Sequence, residues 1–417
     1  MCSSDLSFAE YAMLNDWLAR DETMNNQFTN TLNETFAINA SLEPLKSMTV
    51  KVTTNYRYGI KNSEFYRYQG EDFGDGNVWL SESPLETGNF SASIITFRTG
   101  FKMKGDSVYG IFLDNRETIS ERLAEENPNF GDDVHEGYPN YSKGYGPTSS
   151  YVLIPAFIAA YTGNSAQNVS LDPFNVGIKG QKLIPLPNWQ IRYTGLSKIE
   201  KLRKVFKSVN ITHQYQSTYN IGSFTSNVDY QPTENNDNLP STIDPLSGNY
   251  TSRYQINSIS IMEKFSPLIG IDMTWKNSLI TRFNIKTDRS LSFALTNAQL
   301  TEVQGNSVVV GLGYTLQQIK LPWELRPGTP IQSDVRLMAD FQYRKSRTTL
   351  RKIVEGTQDD SAGQENFSVK ITADYKLSDK LNLRAFYDFN KNIPLISTTF
   401  PNSNSKFGVT LMFTLAP

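Results

Sequence analysis

The chain has 417 residues, of which 38% are hydrophobic and 12% aromatic, and its formal net charge is −2. This charge gives no bulk electrostatic attraction to nucleic acid, and the single cysteine, Cys2, excludes an internal disulfide or a cysteine-based metal cage. The longest apolar run, Tyr151 to Tyr161, is shorter than the roughly 18 residues that a membrane-spanning helix needs.

The first residues are not predicted to belong to the natural protein. The start, MCSSDL, lacks the basic segment and apolar core of a signal peptide, and it resembles a translated sequencing adapter fused to a truncated reading frame. Residues 1–27 are therefore expected to combine an artefactual start with a short helix, since Phe8–Arg20 has helical apolar spacing. A longer reading frame is expected upstream in the source DNA.

Alternation of apolar and polar residues dominates the rest of the chain, which is the period of a strand with one apolar side. In FSVKITADYKL, which begins at Phe367, every second residue is apolar and the others are Ser, Lys, Thr or Asp. Residues 28–101 are predicted to form such strands around an outer loop at 61–87. Residues 188–417 are predicted to form the larger set, which ends in a closing strand over 406–415.

A helical insert is predicted between these two strand sets, at residues 102–187. The segment Val108–Glu126 has helical spacing and is followed by Asn-Pro, which ends helices. Val152–Tyr161 is also predicted to be helical. The pattern leaves open whether the insert is a plug, a cap or a rim element. A further amphipathic helix is predicted at Ser197–Lys207, in a connection between strands.

The lengths of strands and connections favour a membrane barrel over the alternative, a soluble β-sandwich. The alternating runs reach about ten residues, whereas strands typically have five or six. Connections alternate between short and long, as do the periplasmic turns and outer loops of such barrels. The short ones are predicted at Ser378–Lys380, Thr287–Ser290 and Glu263–Pro267, and the long ones at Gln231–Asn249, Thr348–Asn366 and Lys391–Ser405. A tight outer turn predicted at Lys276–Asn277 fits this alternation less well.

The predicted fold class is therefore all-β, an antiparallel outer-membrane β-barrel segment of about 14 long strands with a helical insert. In such a barrel one side of each strand faces lipid and the other faces a hydrated lumen. The polar residues predicted to face the lumen are Arg336, Asp340, Lys370, Asp374, Arg384 and Asp388. The residues predicted to form the apolar stripe of the closing strand, and its assembly signal, are Phe407, Val409, Leu411, Phe413 and Leu415.

No constellation for catalysis, a metal or a cofactor is predicted from the sequence. Of its two histidines, His135 is predicted to lie in a solvated acidic loop and His213 to be a packing or interfacial residue of a strand. Neither a Ser–His–Asp arrangement nor a catalytic carboxylate pair can be argued from spacing. The segment Gly70–Asn77 resembles a calcium loop in composition but lacks the closing glutamate, so a glycine-rich turn is predicted there. The chain is therefore not expected to be an enzyme.

Long stretches of the chain resemble the SprA (Sov) family. They include NWQIRYTGLSKIEKLRKVFKSVNITHQYQSTYNIGSF, FSPLIGIDMTWKNSLITRFNIKTDRSLSFALTNAQL, LRAFYDFNKNIPLISTTFPNS and the ending FGVTLMFTL, and the resemblance extends from Phe8 to the end. Members of this family are giant single-chain barrels in the outer membrane of Bacteroidetes, where they are the translocon of the type IX secretion system. The resemblance implies that this chain is the C-terminal part of such a barrel and, by itself, an open and curved sheet.

The resemblance also implies partners and a mode of action. Family members contact membrane lipid, a PorV-like shuttle barrel at a lateral opening and a periplasmic plug protein. They pass folded secreted proteins that carry C-terminal targeting domains, including adhesins for gliding motility. Neither a catalytic step nor nucleic acid is implied, so the expected function is passive conduction at the outer membrane. The alternatives are the C-terminal barrel of a TonB-dependent transporter and, from another class, an outer-membrane hydrolase.

Overall fold

A large antiparallel sheet dominates the computed structural model, which describes residues 11–413 except 14, 22, 24–26, 71–78, 102, 104, 128–132, 178–184, 235, 327–328, 379 and 397–398. The strands are β1 (Gln27–Leu45), β2 (Met48–Tyr68), β3 (Trp79–Ser93), β4 (Val134–His135), β5 (Tyr138–Ser142), β6 (Asn188–Tyr193), β7 (Phe206–Ser226), β8 (Pro232–Thr233), β9 (Asn236–Pro240), β10 (Tyr254–Ile256), β11 (Ser258–Trp275), β12 (Leu279–Ala294), β13 (Gln299–Arg326), β14 (Thr329–Lys352), β15 (Thr357–Ser378), β16 (Leu381–Pro394) and β17 (Asn402–Phe413). The helices are α1 (Phe97–Phe101), α2 (Gly105–Glu126), α3 (Ser150–Thr162) and α4 (Glu200–Arg203), and a 3₁₀ turn covers Gly195–Lys198.

The order of the large sheet follows the chain, as β1-β2-β3-β7-β11-β12-β13-β14-β15-β16-β17, with β6 against β2 and β7, and β10 against β7. Neighbouring strands are antiparallel. Within the described residues β1 and β17 each pair with one neighbour, so this 13-stranded sheet is open. The predicted fold class is confirmed in these terms: an open antiparallel sheet of long strands with a helical insert.

Two predicted turns are strand interior, which makes the strands longer than the sequence pattern suggests. Thr287–Ser290 lies inside β12, and Glu263–Pro267 lies inside β11, where the pairing register shifts. A proline is tolerated at such an irregularity. The charges that indicated turns have partners instead, since Arg289 forms a buried ion pair with Glu263. Both turn predictions are therefore wrong.

Three predicted outer loops are also largely strand. They are 61–87, Thr348–Asn366 and Lys391–Ser405. The described residues that remain between strands are 69–70, 353–356, 395–396 and 399–401. The flanks of these hairpins are rich in polar residues, so apolar alternation does not mark them, yet the backbone pairing continues through them. The backbone pairing of these strands therefore extends further than their alternation of apolar residues.

Successive connections fall at opposite ends of the sheet. One end, called the loop rim below, carries the β2–β3, β12–β13, β14–β15 and β16–β17 connections and the segment between β7 and β10. The other end, the turn rim, carries the β1–β2, β11–β12, β13–β14 and β15–β16 connections. Because Thr287–Ser290 is not a turn, Lys276–Asn277 lies at the turn rim rather than among the outer loops as predicted.

Helices α1, α2 and α3 lie between β3 and β6 and are called the insert below. The helices predicted at Val108–Glu126 and Val152–Tyr161 are present as α2 and α3. α3 is almost entirely buried, and its Phe157 packs against Phe112 of α2 and Phe293 of β12 at ring-centroid distances of 6.3 and 5.5 Å. No helix in the described part of the chain is long and apolar enough to cross a membrane.

Of two other predicted helices, one is mostly absent from the structure and one is described only in part. At Ser197–Lys207 only the 3₁₀ turn and the four residues of α4 are helical, and β7 begins at Phe206. Of Phe8–Arg20, residues 8–10 and 14 lie outside the described residues, and of the described ones 11–13 are helical. Ser197–Lys207 has only four apolar residues among its eleven, and short isolated helices are marginal without a large buried face.

Gly163 ends α3 in the left-handed conformation, with φ 74° and ψ 23°. We expect Gly163→Ala to lower the free energy of unfolding by about 1 kcal/mol, because a residue with a Cβ is disfavoured there. The new Cβ would lie 3.4 Å from Thr99 Cγ2, an ordinary contact, so the cost is conformational. Urea unfolding of the protein in phospholipid vesicles measures it. The control is Gly110→Ala in α2, where the added Cβ meets nothing within 4 Å and which we expect to stabilise the helix.

Candidate functional site: the two faces of the sheet

The two faces of the sheet differ, and β12 shows this most simply because its pairing with β13 is unbroken from Leu279 to Ala294. Its odd-numbered residues, such as Phe283 and Ile285, share one face, and its even-numbered residues, such as Arg282, share the other. Directly paired residues on neighbouring strands point to the same side, so the registers carry this distinction across the sheet. The side of Phe283 is called the apolar face below, and the side of Arg282 the polar face.

The apolar face carries an exposed hydrophobic band toward the turn rim. On β14 the band runs from Val335 to Tyr343, a length within the roughly 9–11 residues with which a tilted strand crosses a bilayer. The paired residues of β13, β15 and β16 extend it at the same height. They are Val308, Val310, Leu312, Tyr314, Leu316, Phe367, Val369, Ile371, Ala373, Leu383, Ala385, Tyr387 and Phe389, while Tyr375 in the same register is buried. A contiguous apolar surface of this extent indicates contact with lipid or protein.

The same face becomes polar beyond the band, toward the loop rim. After Tyr343, β14 presents Lys345 and Arg347 on this face. Lys345 forms an ion pair with Glu365 of β15, and Arg347 forms one with Asp360. Exposed ion pairs of this kind contribute little to stability. Their importance is positional, because they mark the height at which the hydrophobic band stops.

The polar face carries a row of charges that alternate in sign from β11 to β17. The directly paired residues are Asp272, Arg282, Gly311, Asp340, Lys370, Asp388 and Lys406. Arg282 Nε donates to Asp272 Oδ1 at 3.0 Å. The one uncharged position is Gly311, where a Cβ would lie 2.7 Å from Asp340 Oδ1. The glycine therefore leaves room for that carboxylate. Opposite charges that face each other across strands stabilise this register.

All six residues predicted to face the lumen lie on this polar face. Asp340, Lys370 and Asp388 belong to the row just described. Arg336, Asp374 and Arg384 form a second row nearer the turn rim, again of alternating sign. Within it Arg384 Nε donates to Asp374 Oδ1 at 2.5 Å. The structure thus brings the six together, while their exposure to a lumen stays a prediction.

Reversing the charge of Lys370 should weaken the sheet. Lys370→Glu would set three carboxylates side by side, because Asp340 and Asp388 flank this position. We expect a loss of roughly 0.2–1 kcal/mol for each like-charged pair, which shrinks at high salt because salt screens exposed charges. Urea unfolding in vesicles at two salt concentrations measures it. The double variant Asp340→Lys with Lys370→Glu should recover part of the loss, and no recovery would contradict an electrostatic origin.

The predicted closing strand corresponds to β17, which begins earlier than predicted, at Asn402. Its stripe lies on the apolar face, in register with the band residues of β16. Phe407, Val409, Leu411 and Phe413 are 88%, 70%, 60% and 61% exposed, because β17 is an edge strand of the sheet. Leu415 lies outside the described residues. The role of this stripe as an assembly signal stays a prediction.

Two buried glutamate–arginine pairs lie on the apolar face beneath the insert. Arg289 Nη2 of β12 lies 3.0 Å from Glu263 Oε2 of β11, and their side chains are 1% and 0% exposed. Arg351 Nη1 of β14 lies 2.6 Å from Glu302 Oε2 of β13, with both side chains 2% exposed. These two pairs are called the clamps below. Buried charges are tolerated only when they are paired and hydrogen-bonded.

Residues of the insert cover both clamps. A Cβ at Gly100 would overlap the carboxylate of Glu263, and one at Gly105 would lie 2.9 Å from Glu302 Oε2. Asp106 Oδ1 accepts from Gln358 Nε2 at 2.8 Å and from Arg351 Nη2 at 3.3 Å. The hydrogen bond from Gln358, reinforced by Arg351, lowers the pKa of Asp106 below its usual value, although burial acts in the opposite direction. The carboxylate is therefore held in its charged form at the seat of the insert.

The clamps are not predicted from the sequence, although the sequence contains a signal for them. Glu263 occupies the apolar position in the series Ile259, Ile261, Glu263, Phe265. Arg289 does the same between Ile285 and Leu291. A charge at an apolar position of an otherwise regular strand indicates a buried partner on the neighbouring strand, whereas the sequence pattern predicts turns at Glu263 and Arg289.

The histidines do not form a reactive site. His135 is 5% exposed and packs against Tyr138, so its prediction as a solvated loop residue is wrong. Gly146 lies close over its ring, since a Cβ there would lie 2.6 Å from His135 Nε2. His213 is half-buried, and its Nδ1 lies 2.6 Å from the carbonyl oxygen of Leu268. Its ring packs against that of Phe265, as expected for a packing residue. Among the described residues no group of His, Cys, Asp and Glu is arranged to hold a metal ion. The calcium-loop-like segment Gly70–Asn77 falls mostly outside the described residues.

Comparison with known proteins gives only remote similarities. No family model and no curated protein matches the chain. OmpT, an outer membrane protein of Vibrio cholerae, is similar over 95% of this chain and 98% of its own, at 8% identity and a TM-score of 0.22. The RagAB peptide transporter is similar over 90% of this chain and 38% of its own, at 7% identity and a TM-score of 0.27. TM-scores this low carry no argument about function, and the fold assignment rests on the strand pairing itself.

Proposed function

We propose that the chain forms part of the wall of an outer-membrane barrel that conducts folded proteins from the periplasm to the cell surface, as the translocon of a type IX secretion system. The observation that carries the proposal is the opposition of an exposed hydrophobic band and alternating charge rows on the two faces of the same strands. A strand with lipid on one side and water on the other needs this division. The protein-conducting role rests on the resemblance of the sequence stretches quoted above to the SprA family.

The open edges support a barrel larger than this chain. In lipid an unpaired strand edge is very costly, because its backbone groups have no hydrogen-bond partner. Both β1 and β17 have such an edge in the described residues. Barrel diameter increases with strand number, and folded cargo needs a wide lumen. Further strands that join these edges would provide both closure and width.

The charge rows suit the proposed lumen. Alternating lysine, arginine and aspartate side chains bind water strongly but present neither a uniform charge nor an apolar surface to passing cargo. Such a wall conducts without adhering to folded proteins. Gating and energy are assigned to the partners that the resemblance implies, namely the PorV-like shuttle and the periplasmic plug protein.

Deletion of the gene in the source bacterium tests this function. We expect proteins with C-terminal targeting domains to accumulate in the periplasm, and reintroduction of the complete gene to restore their display on the cell surface. Immunoblots of periplasm, outer membrane and medium measure the distribution. Normal secretion without the gene would contradict the proposal. Normal secretion together with loss of TonB-dependent uptake of a nutrient would identify the alternative, a TonB-dependent transporter.

A further inference from the structure

The apolar face continues without interruption from the hydrophobic band to the seat of the insert. On β12, whose pairing with β13 has no irregularity, the odd-numbered series runs from Phe283 and Ile285 in the band to Arg289, Leu291 and Phe293. The last two are fully buried. The face that is exposed near the turn rim is therefore the same face that is covered near the loop rim.

The insert provides that cover. Phe112 of α2 packs against Phe293 at a ring-centroid distance of 5.7 Å. Phe101 of α1 packs against Phe265 of β11 at 5.0 Å, and Phe265 also lies on the apolar face. Both clamps, which insert residues cover, are on this face as well. Arg282, Asp340 and the other members of the charge rows lie on the opposite face.

We infer that the insert is mounted on the outer surface of the barrel wall, next to the lipid at the loop-rim end of the band, and does not plug the lumen. This inference rests on the proposed function, which makes the polar face the lumen side. It assigns the insert an interaction surface toward the membrane, with the lipid that surrounds the barrel as its partner. The sequence leaves three placements open for the insert, a plug, a cap and a rim element. The inference rejects the plug.

The surroundings of the clamps locate the membrane boundary. A cavity of about 410 Å³ lies between the insert and the sheet, and its lining includes Met103, Asp106, Gln304, Asn306 and Arg347. Asn306 directly precedes the band on β13, two positions from Val308 on the same face. The polar cavity and the hydrophobic band therefore meet within two residues of β13. Met103, which is 39% exposed, is placed where the insert borders the lipid.

The insert is held against the sheet by apolar packing and by its contacts with the clamps. α3 packs into an apolar cluster of buried residues together with Phe112, Phe293 and Leu300. Gly100 and Gly105 let the insert backbone approach the clamps closely, because a Cβ at either position would lie within 3.0 Å of Glu263 Oε2 or Glu302 Oε2. An insert mounted on the outer surface leaves the charge rows of the polar face free for cargo.

Site-specific photo-crosslinking in secreting cells tests this placement. Benzoylphenylalanine replaces Met103, Ile111 or Glu121 of the insert, one at a time in the complete protein, and Thr372 or Gln342 on the polar face serves as the matched control. All five positions are at least partly accessible, so the variants should fold. We expect lipid adducts at Met103, no cargo adducts at any insert position, and cargo adducts at the polar-face positions.

Each outcome decides between the two proposals. Cargo adducts at Ile111 or Glu121 in yields equal to those at Thr372 would overturn the external placement, and so would the absence of lipid adducts at Met103. If Met103 captures lipid while neither polar-face position captures cargo, the external placement stands and the proposed secretion function fails. Mass spectrometry of the adducts distinguishes these cases.

Discussion

Arg289→Met should destabilise the protein by about 3–5 kcal/mol, the range observed when one partner of a buried ion pair is removed. The variant leaves the Glu263 carboxylate without its cation in a site where both side chains are almost completely inaccessible to solvent. Tyr215 Oη still donates to Glu263 Oε1 at 2.9 Å, but a single neutral donor does not offset the desolvation of a charge. Urea unfolding of the protein in phospholipid vesicles gives the free energy.

Two controls identify the cause. In the double variant Glu263→Leu with Arg289→Met both charges are absent, and we expect most of the loss to be recovered, since apolar replacements of a buried pair are often neutral. Arg282→Met removes the cation of an exposed pair on the polar face of the same strand, and we expect a change within about 1 kcal/mol. If Arg289→Met and Arg282→Met had equal effects, burial of the clamp would not be the cause.

The alternation pattern predicts the sheet correctly only where one side of a strand is apolar. It identifies the band strands and the face of each predicted lumen residue, because side-chain period and strand geometry are both two residues. It fails where β14 and β15 extend beyond Tyr343 toward the loop rim, since both sides are polar there. Backbone hydrogen bonds continue the ladder without any hydrophobic signal, and the sequence therefore indicates loops.

The clamps and the placement of the insert depend on contacts between distant parts of the chain. Gly100 and Glu263 are far apart in sequence, and neither residue type predicts the other. The helical segments themselves are predictable from their spacing, and α3 stands out as an apolar run. The face on which they pack is not predictable from local pattern. It depends on which side of β11, β12 and β13 carries apolar residues that need a cover.

A charge in the middle of the hydrophobic band should have the second large effect. Ile371 is central to the band on β15 and is 40% exposed. We expect Ile371→Arg to cost about 2–4 kcal/mol for a protein folded in a bilayer, the range for arginine on the lipid face near the midplane. The same substitution in a face that borders water would have little effect. Urea unfolding in phospholipid vesicles measures the difference.

The matched control is Thr372→Arg, the neighbouring residue on β15, whose side chain lies on the polar face beside Lys370 and Asp374. Thr372 and Ile371 lie on opposite faces of β15 but at nearly the same depth in the membrane. The comparison therefore reports the difference between the two faces and not a difference in depth. We expect a loss below about 1 kcal/mol, because an arginine there remains hydrated. Equal losses for both variants would mean that lipid does not border the band. A larger loss at Thr372 would reverse the assignment of the two faces and, with it, place the insert inside the barrel.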